Sequence, residues 1–189
     1  MKKLNLNYYT VFLTFFRIVI LVETISFLYS GKTWPAIYGL LTFITTFLIS
    51  ILYKLTKLNP SLILRFTVQF FIFLSMFLGN MNKIYSYIPN GDDILHISAG
   101  FISALFAYST LEKLDNGQNI LINNKTFVAF YIVIFGIASG GIWEMFEFTT
   151  DSLFSLTSQG GSLTDTMFDI INGTIGPVIM SSIYLKNPS

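Results

Sequence analysis

Read from the amino end, the chain is a succession of long apolar stretches separated by short polar breaks. Six stretches stand out, at about 9–29, 34–53, 60–79, 93–111, 126–150 and 164–185. Each, wound as a helix rising about 1.5 Å per residue, is long enough to cross roughly 30 Å of hydrocarbon. The breaks carry turn chemistry: Ser30-Gly31-Lys32, Leu58-Asn59-Pro60, Pro89-Asn90-Gly91, Asp115-Asn116-Gly117 and Gln159-Gly160-Gly161. The pattern predicts an all-α integral membrane bundle of about six transmembrane helices. Every loop is too short to fold alone, so residues 1–189 are expected to form a single transmembrane domain. The opening Met1-Lys2-Lys3 resembles the start of a signal peptide, but no small-residue cleavage site follows and the apolar stretch is too long. It is read as a retained helix.

Composition enters chiefly by what it excludes. The chain is 53% hydrophobic and 11% charged, where a soluble domain carries about 25% charged residues. Its mean hydropathy is +0.65. Water cannot solvate that much apolar surface, whereas a bilayer can. A net charge of +1 offers no basic patch for a nucleic acid. The absence of cysteine rules out disulfides, thiolate zinc sites and cysteine nucleophiles.

The lysines set an orientation. With the amino terminus in the cytoplasm, Lys2, Lys3, Lys54, Lys57, Lys113, Lys125 and Lys186 fall on the inner side and only Lys32 and Lys83 on the outer. That asymmetry follows the positive-inside rule. It predicts a multi-pass protein of the bacterial cytoplasmic membrane with both termini cytoplasmic.

The acids are distributed quite differently. No Asp or Glu lies between Glu23 and Asp92, and seven of the ten are Asp92, Asp93, Glu144, Glu147, Asp151, Asp165 and Asp169. In the expected topology all seven fall in the outer turns of the last three helices, together with His96, the sole histidine, and Asn172. Asp93 and His96 are spaced i,i+3. Glu144, Glu147 and Asp151 are i,i+3,i+7, and Asp165, Asp169 and Asn172 are i,i+4,i+7, so each set shares one helix face. A charge at the bilayer centre costs at least about 2.5–3.5 kcal/mol on insertion scales. Such groups turn toward one another, toward water or toward a cation.

Several chemistries remain open on these residues. Carboxylates with one imidazole suit a divalent ion, namely Mg²⁺, Mn²⁺, Fe²⁺ or Zn²⁺. The expected ligands or general bases are His96, Glu144, Glu147, Asp165 and Asp169, with Asp92 or Asp93. Without metal, Asp93 and His96 form a general-base unit with Glu144 or Glu147 as the acid. The leading expectation is a metal-dependent enzyme on an envelope lipid or lipid-linked substrate, with membrane lipids as its partners. The second is a cation or proton transporter. The third is a non-catalytic membrane factor whose acids are solvated near the headgroups, where Asp93 and Asp165 also suit helix N-termini.

The remaining polar and small residues divide between structure and site. Trp143 either lines the site or belongs to the aromatic belt. Arg17 and Arg65 are read as snorkelling inward, and Glu23 as a residue of the first helix that faces the acids. Gly136, Gly140, Gly141, Gly173 and Gly176 permit close helix contact. Pro177 is expected to kink the last helix.

Three stretches carry a family resemblance: Asp92-Asp93-Ile94-Leu95-His96-Ile97-Ser98-Ala99-Gly100, Trp143-Glu144-Met145-Phe146-Glu147-Phe148 and Asp165-Thr166-Met167-Phe168-Asp169 with Gly176. Over about residues 79–185 the chain resembles the YjdF-like family of bacterial polytopic membrane proteins. In that pattern the acid stands four residues before the histidine, which implies Asp92 alongside Asp93, and a glutamine recurs in the outer loop, which Gln159 matches. Pro177 departs from it, since alanine tends to follow the glycine there. A sparser likeness, carried by Asp93 and His96, Glu144 and Glu147, and Asp165 or Asp169 with Asn172 and Gly173, is to VanZ-type proteins. Neither resemblance supplies a reaction; the second implies an envelope role.

Overall fold

The structure, a computed structural model, describes residues 2–57, 60–82, 84–154, 159 and 162–186. Of the expected turns, Leu58-Asn59 and Gly160-Gly161 lie outside the described residues, as does Lys83. The described residues form helices α1 (Lys2–Tyr29), α2 (Thr33–Leu55), α3 (Leu62–Ile72), α4 (Gly91–Asp115), α5 (Lys125–Phe154) and α6 (Leu163–Lys186). A π-helical segment, Phe73–Met81, continues α3, and a short 3-10 turn, Ile84–Tyr87, precedes α4. Six stretches, Tyr8–Tyr29, Thr33–Leu55, Leu62–Met81, Gly91–Asp115, Lys125–Leu153 and Leu163–Lys186, are long and apolar enough to cross a membrane. The third starts two residues later than its hydropathy predicts because Ser61 caps it, its Oγ accepting from the Leu64 N–H at 3.2 Å.

The chain divides into two compact units, Met1–Pro89 and Asn90–Ser189. The first packs α1, α2 and α3 with its π-helical extension around Phe16, Ile20, Ile72, Phe77 and Met81. Gly39 of α2 lies against Thr24 and Met81, so the helices meet where a side chain would not fit. Buried hydroxyls are satisfied within their own helices: Thr24 donates to the Ile20 carbonyl at 2.6 Å and Thr42 to that of Tyr38 at 2.7 Å. This is the solution open to hydroxyls where no water is present.

One polar residue of this unit departs from the reading of the sequence. Arg17 does not simply trail toward a membrane surface. Its Nε donates to Thr46 Oγ1 and its Nη2 to the Thr46 carbonyl, each at 3.0 Å, and its guanidinium sits 3.6 Å from the centre of the Phe47 ring. Gln69, fully buried, donates to the same carbonyl at 3.3 Å. Glu23 has a partner inside the first unit, the Asn82 side-chain amide at 3.4 Å. Asn82 ends the π-helical segment, and its backbone and side-chain nitrogens both reach the Phe77 carbonyl, at 3.2 and 3.0 Å.

The second unit packs α4, α5 and α6 about a core of Ala104, Ala107, Leu111, Val128 and Ile132. At the α4–α5 end the chain turns on Asn116 and Gly117, both at positive φ (48° and 77°), where Asn and Gly carry little strain. Two bonds fasten that loop. Asp115 Oδ1 accepts the Leu121 N–H at 2.7 Å, and the Tyr184 hydroxyl donates to the Ile122 carbonyl at 2.8 Å.

Close approach of α4 and α6 fixes the rest of the unit. A side chain on Gly100 would meet the Gly173 carbonyl and Pro177, and one on Gly176 would meet the backbone of Gly100 and Phe101. Gly136 of α5 faces the Pro177 ring. Small residues here replace the hydrophobic drive that lipid removes. Pro177 lies inside α6 and serves as the ridge that two glycines receive.

Candidate metal centre

The acids gather at the end of the second unit opposite the Asn116-Gly117 turn, and the glycine contact explains how. Gly100 stands one turn beyond His96, and Gly173 one turn beyond Asp169. Where these glycines touch, the preceding turns of α4 and α6 must face each other, and His96 and Asp169 occupy those turns. His96 Nε2 lies 3.6 Å from Asp169 Oδ1 and 3.8 Å from Asp92 Oδ1. The Asp169 side chain is only 4% exposed and that of His96 11%, while that of Asp92, in the first turn of α4, is 62% exposed. The group is closed on its inner side and open at Asp92.

The separations are informative. Both exceed hydrogen-bond distance, so the imidazole sits between two carboxylates without bonding to either. Ligand atoms held at about 2.0–2.2 Å around a tetrahedral ion lie roughly 3.4 Å apart. One donor atom from each of Asp92, His96 and Asp169 can be chosen so that all lie within 4.8 Å of one another. The two His96 separations are within a few tenths of an ångström of the tetrahedral spacing, and the set as a whole is close enough to be drawn onto one ion.

Glu144 adds a second observation. Its side chain is buried (4% exposed), and neither carboxylate oxygen has a hydrogen-bond partner within 3.5 Å among the described residues, although the Gln159 side-chain amide stands near enough to act on it. It lies within electrostatic reach of His96, Asp92 and Asp165. An unpartnered carboxylate in an apolar interior is costly, and a cation relieves that cost. Glu147 lies within reach of Glu144, Asp92 and Asp169. Its Oε1 accepts the Trp143 indole N–H at 2.9 Å, across one turn of α5.

The structure distributes the other expected residues around this centre. The Asp93–His96 pairing predicted from the i,i+3 spacing is not the one formed. Helical side chains lean toward the amino end, so His96 reaches back to the residue four before it, Asp92. Asp93 instead accepts from the Asn172 amide at 2.6 Å, tying α4 to α6 beside the site. Asp165, in the first turn of α6, is within electrostatic reach of Asp92, Glu144 and Asp169, and its N–H is received by Ser162 Oγ at 3.1 Å. Asp151 accepts the Gln159 backbone N–H at 3.0 Å. The Gln159 amide bridges the Glu144 carbonyl at 3.4 Å and Thr166 Oγ1 at 3.3 Å, joining α5 to α6 over the site. Trp143 is half-exposed and meets the site through its bond to Glu147. Thr166 carries no chemical signal of its own in the sequence, although it stands next to Asp165.

A family model described as "Predicted membrane protein (DUF2238)" matches residues 8–187, nearly the whole chain. The chain belongs to this family. The resemblance to YjdF-like proteins is consistent with DUF2238 membership, while that to VanZ-type proteins rests on the quoted residues alone. Among curated proteins, an "Uncharacterized protein" of Thermotoga maritima is 31% identical over 115 residues, 61% of this chain and 58% of the relative. The chain thus spans somewhat over half the length of that relative. No solved structure matches significantly. The family assignment agrees with six membrane-spanning helices and is silent on chemistry.

Proposed function

We propose that the second unit holds one divalent cation on Asp92, His96 and Asp169, and that the protein uses it as a membrane enzyme acting on an envelope lipid or lipid-linked substrate. The supporting observation is the position of His96 Nε2, 3.8 Å from one carboxylate and 3.6 Å from another, bonded to neither. Three protein ligands with the remaining side open match a catalytic rather than a structural ion. Such an ion polarises a phosphoryl or carbonyl oxygen or lowers the pKa of a bound water. The buried Glu144, with no donor bonded to its carboxylate among the described residues, is placed to accept a proton at those oxygens. Asn172 and Gln159 hold the surrounding helices in register through Asp93, Glu144 and Thr166.

The positive-inside reading of the lysines supports an outward-facing position for this end of the unit, in a bacterial cytoplasmic membrane. An enzyme fits better than a transporter. Inward of His96, Glu144 and Asp169, α4, α5 and α6 carry no Asp, Glu, Lys, Arg or His until Glu112, Lys125 and Lys186. Backbone contact at Gly100, Gly173 and Gly176 closes the floor of the site. A cation entering here meets a dead end within the second unit.

Metal analysis of the purified protein tests the reading. About one equivalent of Zn, Mn or Fe, or Mg²⁺-dependent stabilisation, is expected for the wild type, and loss in both His96→Ala and Asp169→Asn with the fold intact. Full retention in both variants would remove the ligand assignment. Metal binding without turnover of any envelope phospholipid or lipid-linked precursor would leave a cation-binding factor and refute the enzyme.

A further inference from the structure

The second unit gathers more negative charge at its centre than one ion offsets. A divalent ion on Asp92, His96 and Asp169 balances the two aspartates and leaves Glu144, Glu147 and Asp165. Backbone contacts bring these three together. A side chain added at Gly140 would meet the Ile170 Cα at 3.7 Å, and Gly136 faces Pro177, so α5 and α6 run antiparallel. Glu144, one turn beyond Gly140, is therefore level with Thr166, one turn before Ile170. The Gln159 amide spans that level, from the Glu144 carbonyl at 3.4 Å to Thr166 Oγ1 at 3.3 Å. Asp165 adjoins Thr166, and Glu147 follows Glu144 by three residues on one face of α5. No basic side chain of this unit offsets them. Residues 90–189 contain no arginine, and their lysines, Lys113, Lys125 and Lys186, lie at the opposite end of the three helices. Exposure grades outward from Glu144, at 4%, through the half-buried Glu147 and Asp165 to Asp92, at 62%.

Resting on the metal reading of Asp92, His96 and Asp169, we propose that the substrate is an aminophospholipid: Glu144 and Glu147 receive its primary ammonium, and the ion takes its phosphate. Glu144 decides the kind of cation. Its oxygens are covered and have no hydrogen-bond partner within 3.5 Å among the described residues, and a buried acceptor is costly until a donor reaches it. A primary ammonium brings three N–H donors, like that of lysine, whereas a quaternary ammonium brings none. The Gln159 amide stands near Glu144 but outside bonding distance, and the ammonium takes its place there. A bond between two charged partners is about twice as strong as one between neutral groups, which favours that exchange. Glu147 is set for the same cation by Trp143, whose indole N–H it accepts at 2.9 Å. A wholly anionic headgroup would meet attraction from the ion and repulsion from the three remaining carboxylates. A zwitterionic aminophospholipid meets opposite charge at both its phosphate and its amine.

Native mass spectrometry of the purified full-length protein, with phosphatidylethanolamine, phosphatidylcholine or phosphatidylglycerol added in detergent, tests the assignment. Elemental analysis of the same preparation reads the metal. Phosphatidylethanolamine is expected to be retained about tenfold better than phosphatidylcholine, which has the same phosphate and no N–H, the equivalent of one hydrogen bond to a charged group. Phosphatidylglycerol should be retained no better than phosphatidylcholine. Glu144→Gln and Glu147→Gln should each remove most of the preference, and Tyr184→Phe, at the far end, none of it. The Glu147 arm decides the matter even where Glu144→Gln does not fold. Equal retention of the ethanolamine and choline lipids, or an undiminished preference in Glu147→Gln, overturns the proposal; one equivalent of metal in that same protein leaves the metal reading standing. A preference for phosphatidylethanolamine in a protein that binds no metal keeps the ammonium assignment and removes the ion. Two equivalents of metal put an ion where the ammonium is placed and overturn it. Ethanolamine phosphate is the remaining arm: if it alone raises the melting temperature as much as phosphatidylethanolamine does, the site takes a free amine and the lipid assignment fails.

Discussion

His96 and Asp169 sit on different helices with Nε2 and Oδ1 3.6 Å apart because Gly100 and Gly173, one turn further along each helix, bring the two backbones into contact. The centre therefore depends on residues that carry no chemistry. Gly100→Ala should push α4 from α6, lowering stability by about 1–3 kcal/mol, the usual cost of overpacking, and weakening metal binding in parallel. Gly141→Ala, where an added Cβ meets nothing within 4 Å, should change stability by no more than about 0.5 kcal/mol. Thermal unfolding in detergent checks both. Equal effects would show that the contact is not what sets the geometry.

Neighbouring aspartates should separate cleanly. Asp92 is mostly exposed and faces His96, whereas Asp93 receives the Asn172 amide at 2.6 Å. Asp92→Ala should lose metal with little change in melting temperature. Asp93→Ala should lose about 1.5–3 kcal/mol, the value of a hydrogen bond to a charged group, and retain more metal than Asp92→Ala. The reverse pattern would mean that Asp93 is the ligand after all.

Instability alone should not empty the site, and the far end of the second unit supplies the control. Tyr184→Phe removes a 2.8 Å bond to the Ile122 carbonyl and should cost about 1 kcal/mol. Its metal content, measured by the same elemental analysis, should equal that of the wild type. A loss of metal there would mean that the His96 and Asp169 variants report on folding rather than on ligation.

How much of this was legible follows from the kind of signal each feature leaves. Six spans are written in hydropathy, because lipid tolerates only long apolar helices. The acidic end was legible too: spacing places Glu144 and Glu147 on one face of α5, and Asp165 and Asp169 on one face of α6. The choice between Asp92 and Asp93 was not settled by spacing, since i,i+3 and i,i+4 partners share a face and only side-chain direction separates them. The π-helical segment at Phe73–Met81 leaves no mark in hydropathy, because its side chains are as apolar as those of an α-helix. Arg17 was open to misreading for a similar reason. Snorkelling is a prior for an arginine within a span, and Thr46 became its partner only once α2 was packed against α1.

Glu144 offers the sharpest prediction, because its burial without a partner is hard to reconcile with an apolar interior unless a cation is near. Neither oxygen has a hydrogen-bond donor within 3.5 Å among the described residues, and His96, Asp92, Asp165, Glu147 and Asp169 are charges around it. In the absence of metal, Glu144→Gln should therefore melt no lower than the wild type, since the substitution removes a buried charge that stands among other carboxylates. With metal in excess the order should change. A ligand at about one hundred times its dissociation constant stabilises the folded state by about 2.7 kcal/mol. The wild type should gain that amount on adding Zn²⁺ or Mn²⁺ after chelation, and Glu144→Gln should gain visibly less, because the ion has lost a neighbouring negative charge. Melting curves recorded with chelator and with metal give both comparisons on one sample. If the two proteins gain equally, Glu144 is indifferent to the ion; if Glu144→Gln melts well below the wild type in chelator, the carboxylate has a structural partner and its place at the centre must be reassigned.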